Sequence, residues 1–130
     1  MYWPAGKAGA ICHAMLPEKH TEYSEEDTDL FKYVDSSVRY MHEHFRPPYV
    51  PPSEIEVKVF GGGDMFRMDF SAGRETVGKK NIKAAFSSLE ILGYKVMAHD
   101  TGGIFGRKLY FYSFEGKVFI KNIKSTMEAG

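Results

Sequence analysis

The sequence has a single cysteine in 130 residues, so no disulfide can close within the chain and a disulfide-stapled secreted scaffold is excluded. It has no excess of either charge: 17 Lys and Arg stand against 17 Asp and Glu. That balance offers no broad electrostatic footprint for nucleic acid or for an anionic membrane, and neither is expected as a partner. It has no apolar run near the roughly 18 residues a spanning helix needs, so no membrane insertion is expected. The opening residues, Met1-Tyr2-Trp3-Pro4, show neither a basic n-region nor an apolar h-region, and a cytoplasmic location is the expectation. What remains is ordinary for one folded domain, with 43% hydrophobic and 26% charged residues and no repeats or low-complexity tracts.

The residues divide into a short series of elements. Ala8 to Leu16 is apolar and stopped by Pro17, and reads as a buried strand. Glu18 to Thr28 is acidic and aperiodic, an exposed loop, and Ser24-Glu25-Glu26-Asp27 has the capping-box form that opens a helix. Leu30, Phe31, Val34, Val38, Met41 and Phe45 then recur at steps of three and four, one apolar stripe on a helix that Pro47-Pro48 ends. Ile55 to Phe60 alternates apolar and charged, a strand with one buried face that runs into Gly61-Gly62-Gly63. A polar loop over roughly 69–76 leads to a second helix over about Gly78 to Leu92, with Gly93 as its left-handed cap. A strand from Tyr94 to Ala98, a turn at Asp100-Thr101-Gly102-Gly103, and a hairpin (Leu109 to Phe114, Lys117 to Ile123) complete the chain. Two helices are too few to cover both faces of a doubly wound sheet. The expected fold is a single α+β domain over residues 1–130, a mixed sheet with two main helices packed on it.

Several residues could carry chemistry. Cys12 and His13 are adjacent, but neighbours on a strand point to opposite faces, so they cannot form a thiol–imidazole dyad. Cys12 therefore reads as a small buried hydrophobe. His13, taken alone, reads as a structural histidine whose ring is satisfied by the fold. Gly61, Gly62 and Gly63 lack the spacing of a phosphate-binding loop, and read either as a tight turn or as backbone amides lining an oxyanion site. Thr101, Gly102 and Gly103 divide in the same way. His42 and His44 lie about 200° apart around one helix and cannot chelate one metal from a single face, and His20 and His99 have no ligand-spaced partner; no metal is expected. Tyr110, Phe111, Tyr112, Phe114 and Phe119 form an aromatic hairpin that reads as a two-sided core or a protein interface rather than a base-stacking platform.

Five segments in register resemble the CheD family of chemotaxis proteins, the chemoreceptor glutamine deamidases. They are Gly9 to Pro17 in the form G-x-x-x-H-x-M-L-P, Lys32-Tyr33-Val34-Asp35, Lys58 to Phe66, Val77 to Asn81, and Asp100 to Gly103 followed by Gly106-Arg107-Lys108 and the closing hairpin. The resemblance implies a Cys–His amidohydrolase that turns specific glutamines of methyl-accepting chemoreceptors into glutamate through a thioester. It implies that His13 is the catalytic histidine, that no cofactor is needed, and that the partners are chemoreceptor cytoplasmic helices and the CheC-type phosphatase. It places the nucleophilic cysteine in an L-G-S-C-V segment on the strand before the one beginning here, which has no counterpart in these residues. The implied domain thus lacks its N-terminal strands, and the alternative is a catalytically inactive interaction domain that binds the phosphatase or the receptors.

Overall fold

A computed structural model describes residues 1–19, 22–64 and 75–123. His20 and most of the loop expected over 69–76 lie outside them. The described residues form an α+β fold in which two helices pack on small sheets of both senses, as the element pattern implies.

The chain opens on a tight antiparallel pair, β1 (Tyr2–Trp3) and β2 (Ala8–Gly9), with Tyr2 opposite Gly9 and Trp3 opposite Ala8. On its other side β1 meets the approach to β3 (Val57–Gly61): Tyr2 and Glu56 exchange both backbone hydrogen bonds, at 2.8 Å each. β3 in turn pairs in parallel with β4 (Val96–Thr101), from Val57 opposite Val96 to Gly61 opposite Thr101. The hairpin β5 (Gly106–Tyr112) and β6 (Lys117–Ile123) is antiparallel and in register throughout, with Tyr110 opposite Phe119.

Helix α1 (Val34–His44) does not begin at the Ser24 capping box. Ser24 and Asp27 do bond reciprocally, the Ser24 amide giving to the Asp27 carboxylate and the Asp27 amide to the Ser24 carbonyl, but they close an isolated turn. Leu30–Lys32 is a separate 3-10 turn. The first amides of α1 are satisfied by the chain instead: Val34 donates to Leu16 O at 2.8 Å and Asp35 to Pro17 O at 3.2 Å. This docks the segment after His13 onto the helix start. Helix α2 (Val77–Ile91) matches the expected span, with Thr76 accepting from the Lys79 amide at its N-terminus. Gly93, at φ 90°, closes its other end.

The core forms where both helices meet β3. Val38 of α1, Leu89 of α2, and Val50, Ile55, Val57 and Tyr94 are all buried there. Val34 and Phe45 of the expected stripe pack against this cluster and Leu30 is buried in the turn before α1, but Phe31 turns outward and packs edge-on against Tyr40 at 4.9 Å.

Several strand boundaries move. The strand expected over Ala8 to Leu16 is laddered only at Ala8–Gly9, with Ala10 and Met1 exchanging one further pair of hydrogen bonds beyond it. The strand expected from Tyr94 begins at Val96, since Tyr94 is committed to the core, and it runs on through Asp100 and Thr101, which were expected in a turn. The hairpin begins at Gly106 rather than Leu109, and its turn takes Ser113 to Gly116 rather than two residues.

Candidate active site

Between the β1–β3 seam and the hairpin lies an apolar groove of about 250 Å³. Val57 and Val59 of β3 form its floor. Val34 and Val38 of α1 with Ile82 and Leu89 of α2 form one wall, and Leu109, Phe111 and Val118 of the hairpin the other. Cys12 and His13 stand on its lining, as do Gly61, Gly62 and Thr101. Gly102 and Gly103 are not on that lining; they follow β4 in the loop after Thr101.

Residues far apart in sequence are thereby brought to one opening. His13 is exposed, and among the described residues its ring makes no hydrogen bond, whereas His42, His44 and His99 each find a partner. The His13 ring is thus not tied to the fold by a hydrogen bond from another described residue, unlike the structural histidine expected, and stands open at the groove. Cys12 is exposed at the groove rather than buried. The atoms crowding it nevertheless thin its water and push the thiol pKa up, against a weaker opposite pull from the Met1 ammonium. A thiol so placed is less often thiolate and is a poorer nucleophile.

The glycine loops are built as a unit. The Gly102 amide donates to Gly61 O at 2.8 Å, and the Asp64 amide to Gly103 O at 2.8 Å. Gly102 at φ 81° and Gly103 at φ 77° are in left-handed conformation, as are Gly61 and Gly62. The Gly102 donor is therefore already used within the site. Two polar groups that the sequence reading did not single out hold this region. Arg107 reaches inward from β5, giving hydrogen bonds to Gly61 O at 3.3 Å, Gly102 O at 2.8 Å and the Asp100 carboxylate at 3.1 Å. Its signal was an arginine on the inward-facing side of an otherwise apolar alternation. Asn81 of α2 lines the groove and donates to Met15 O at 3.1 Å, pinning the chain two residues beyond His13.

Among the described residues one trio brings possible metal-ligand atoms within 4.8 Å of one another: Glu25, Glu43 and His44, all exposed. Glu43 is already shared by Arg39 at 3.2 Å and the Tyr23 hydroxyl at 3.4 Å, and His44 faces Glu25 at 3.2 Å. The trio lies outside the groove lining. No helix among the described residues is long and apolar enough to cross a membrane.

Comparison with known proteins gives this groove its context. The family profile described as CheD chemotactic sensory transduction matches residues 15–122, and the chain belongs to the CheD family. It is 40% identical over 120 residues to a probable chemoreceptor glutamine deamidase CheD 2 of Geobacter sulfurreducens, covering 92% of this chain and 70% of that protein. It is 35% identical over 133 residues to a probable chemoreceptor glutamine deamidase CheD of Maridesulfovibrio salexigens, covering 98% and 77%. The chemoreceptor glutamine deamidase CheD of Thermotoga maritima is 29% identical over 120 residues, covering 92% and 71%.

Proposed function

We propose that the groove is the catalytic site of a chemoreceptor glutamine deamidase, with His13 as its acid–base residue. The observation that supports this most directly is one of register. β1 is already a central strand, bonded to β2 on one side and to Glu56 on the other. A strand laid in line with β1 ahead of Met1 would run antiparallel to both neighbours. Its successive residues would face Ile11, Cys12 and His13 on one side and Lys58, Val59 and Phe60 on the other. A thiol carried on that strand would thus lie in the groove beside the His13 imidazole, which has no partner among the described residues.

The chemistry then follows from the parts. The thiolate attacks the side-chain carbonyl carbon of a glutamine, forming a C–S bond, and His13 gives its proton to the nitrogen as the C–N bond breaks and ammonia leaves. His13 next takes a proton from water. The hydroxide attacks the thioester, and glutamate departs as the thiol is restored. A glutamine becomes a carboxylate, which changes the charge of the receptor helix that bears it. Gly62 and Thr101, on the same lining, are the groups we assign to the carbonyl oxygen of the incoming side chain. We take the partners to be the cytoplasmic helices of methyl-accepting chemoreceptors and a CheC-type phosphatase, and the compartment to be the cytoplasm.

A second reading is favoured by the state of Cys12. The residues from Met1 onward hold no other thiol, and this one has its pKa raised. Acting without an added strand, the chain would bind receptor helices or the phosphatase and hydrolyse nothing. Ammonia release from receptor cytoplasmic fragments separates the two readings. A form with an L-G-S-C-V segment placed ahead of Met1 is expected to release ammonia, and its Cys→Ser counterpart to release none. Retention of receptor fragments or phosphatase by the 130-residue chain, with no ammonia from either form, would select the second reading.

A further inference from the structure

The β5–β6 hairpin turns one face to the groove and the other to solvent. Strand alternation places Lys108, Tyr110 and Tyr112 of β5 and Lys117, Phe119, Lys121 and Ile123 of β6 on the outer face. Tyr110, Tyr112 and Phe119 are 44%, 52% and 57% exposed, a contiguous apolar patch on neighbouring strands. Lone exposed apolar residues are ordinary, but a clustered aromatic patch of this kind marks an interaction surface.

The charges around it identify what would cover it. Lys108 and Lys121 are direct cross-strand partners. Like charges so placed repel, and among the described residues neither has a carboxylate partner. Lys117 sits at the other end of the patch, opposite Tyr112, with Glu115 of the turn 3.4 Å away. The outer face is therefore an aromatic centre bracketed by cations four strand positions apart, roughly 14 Å, which is the rise of about nine helical residues. The rings are not presented for base stacking. Tyr112 and Phe119 meet edge to face at 5.6 Å, and the Lys108 ammonium lies over the Tyr110 ring at 5.5 Å. Each of these contacts occupies a ring face that a base would need.

We propose that the outer face of the β5–β6 hairpin docks an amphipathic helix of another protein, one with an apolar stripe bracketed by carboxylates. The surface is on the opposite side of the hairpin from the groove, so the proposal stands independently of the catalytic reading.

The test uses the isotope-labelled 130-residue chain and two end-capped helical peptides. Both carry a two-turn leucine stripe in an alanine background; one has glutamates at each end of the stripe and the other lysines. The glutamate peptide is expected to shift the amide resonances of Lys108, Tyr110, Tyr112, Phe119 and Lys121 in a saturable way, and the lysine peptide to bind at least about tenfold more weakly. The double substitution Lys108→Glu and Lys121→Glu, at exposed positions, should leave the rest of the spectrum in place and reverse the preference between the peptides. Absence of saturable shifts, shifts confined to groove residues such as Val59 and Leu109, or equal binding of the two peptides would overturn the proposal. Binding to anionic vesicles without binding to the glutamate peptide would overturn it in favour of a membrane surface.

Discussion

Gly62 and Gly78 meet backbone to backbone where the end of β3 touches the start of α2. A methyl group built at Gly78 would lie 2.4 Å from the Gly62 carbonyl oxygen, and one at Gly62 would lie 2.4 Å from the Ile82 side chain and 2.9 Å from Gly78 O. Neither backbone can yield without moving the loop that carries Gly61 and Gly62 away from the groove. Gly78→Ala is expected to destabilise the fold by about 1–3 kcal/mol, the ordinary cost of overpacking, despite alanine's better helix propensity. Urea unfolding of the two proteins checks this, and an unchanged or raised midpoint would refute the close approach.

Arg107 ties the end of β3 to the end of β4 and the loop after it, so shortening its reach should loosen that junction. Lys cannot reproduce the fork of a guanidinium in which one nitrogen gives to Gly61 O while the other gives to Gly102 O and the Asp100 carboxylate. Arg107→Lys should therefore increase amide exchange at Gly102, whose hydrogen bond to Gly61 O depends on the loops staying together. Exchange at Leu89, in the core, should be little altered. Equal acceleration at both positions would mean global destabilisation rather than a role in holding the loops.

His42 makes stability depend on pH. Its Nδ1 lies 2.6 Å from the Tyr94 hydroxyl, and its pKa is lowered first by burial and then by the neighbouring Arg46 guanidinium, with a weaker opposite pull from Glu43. The unfolded chain therefore takes up the proton first as pH falls. The stabilisation is complete above the unfolded histidine value, about 6.5, and declines as pH drops below it toward the lowered folded value. Denaturation midpoints should fall over that window, and His42→Gln should flatten the part of the slope that this ring supplies. An identical slope in the variant would assign the effect elsewhere.

Leu89 is 3% exposed and sits between α1, α2 and β3. Leu89→Ala should cost about 2–5 kcal/mol by opening a cavity against Val38 and Val57. His13→Ala, at an exposed ring without a partner among the described residues, should leave the same denaturation midpoint almost unmoved. That contrast separates a residue kept for folding from one free for chemistry.

The periodic parts of this fold are legible in the sequence. The 77–91 helix follows from its apolar spacing and from the glycine after it, and β3 from its alternation. The hairpin followed from two alternating runs around a turn. Boundaries slipped where tertiary partners decide them: Tyr94 leaves its strand to reach His42 and the core, and α1 borrows the carbonyls of Leu16 and Pro17 in place of a side-chain cap. Cys12 is exposed although its segment is apolar, because the chain leaves its ladder after Gly9 and apolar character alone does not bury a residue that no neighbouring element covers. Arg107 and Asn81 stand in segments that carry the family resemblance, but their roles are not legible there, because hydrogen bonds between parts distant in sequence leave no periodic trace.

The proposed role of His13 is to move the protons for a thiol laid in the groove in line with β1. The measurement that tests it most directly is ammonia release from a receptor cytoplasmic fragment by the form carrying L-G-S-C-V ahead of Met1, compared with its His13→Ala and Cys12→Ser variants. The account requires that His13→Ala lose at least about a hundredfold in rate, the contribution of a positioned acid–base group, while Cys12→Ser stays near the parent. Undiminished release without the His13 imidazole, or release that disappears with the Cys12 thiol, would contradict it.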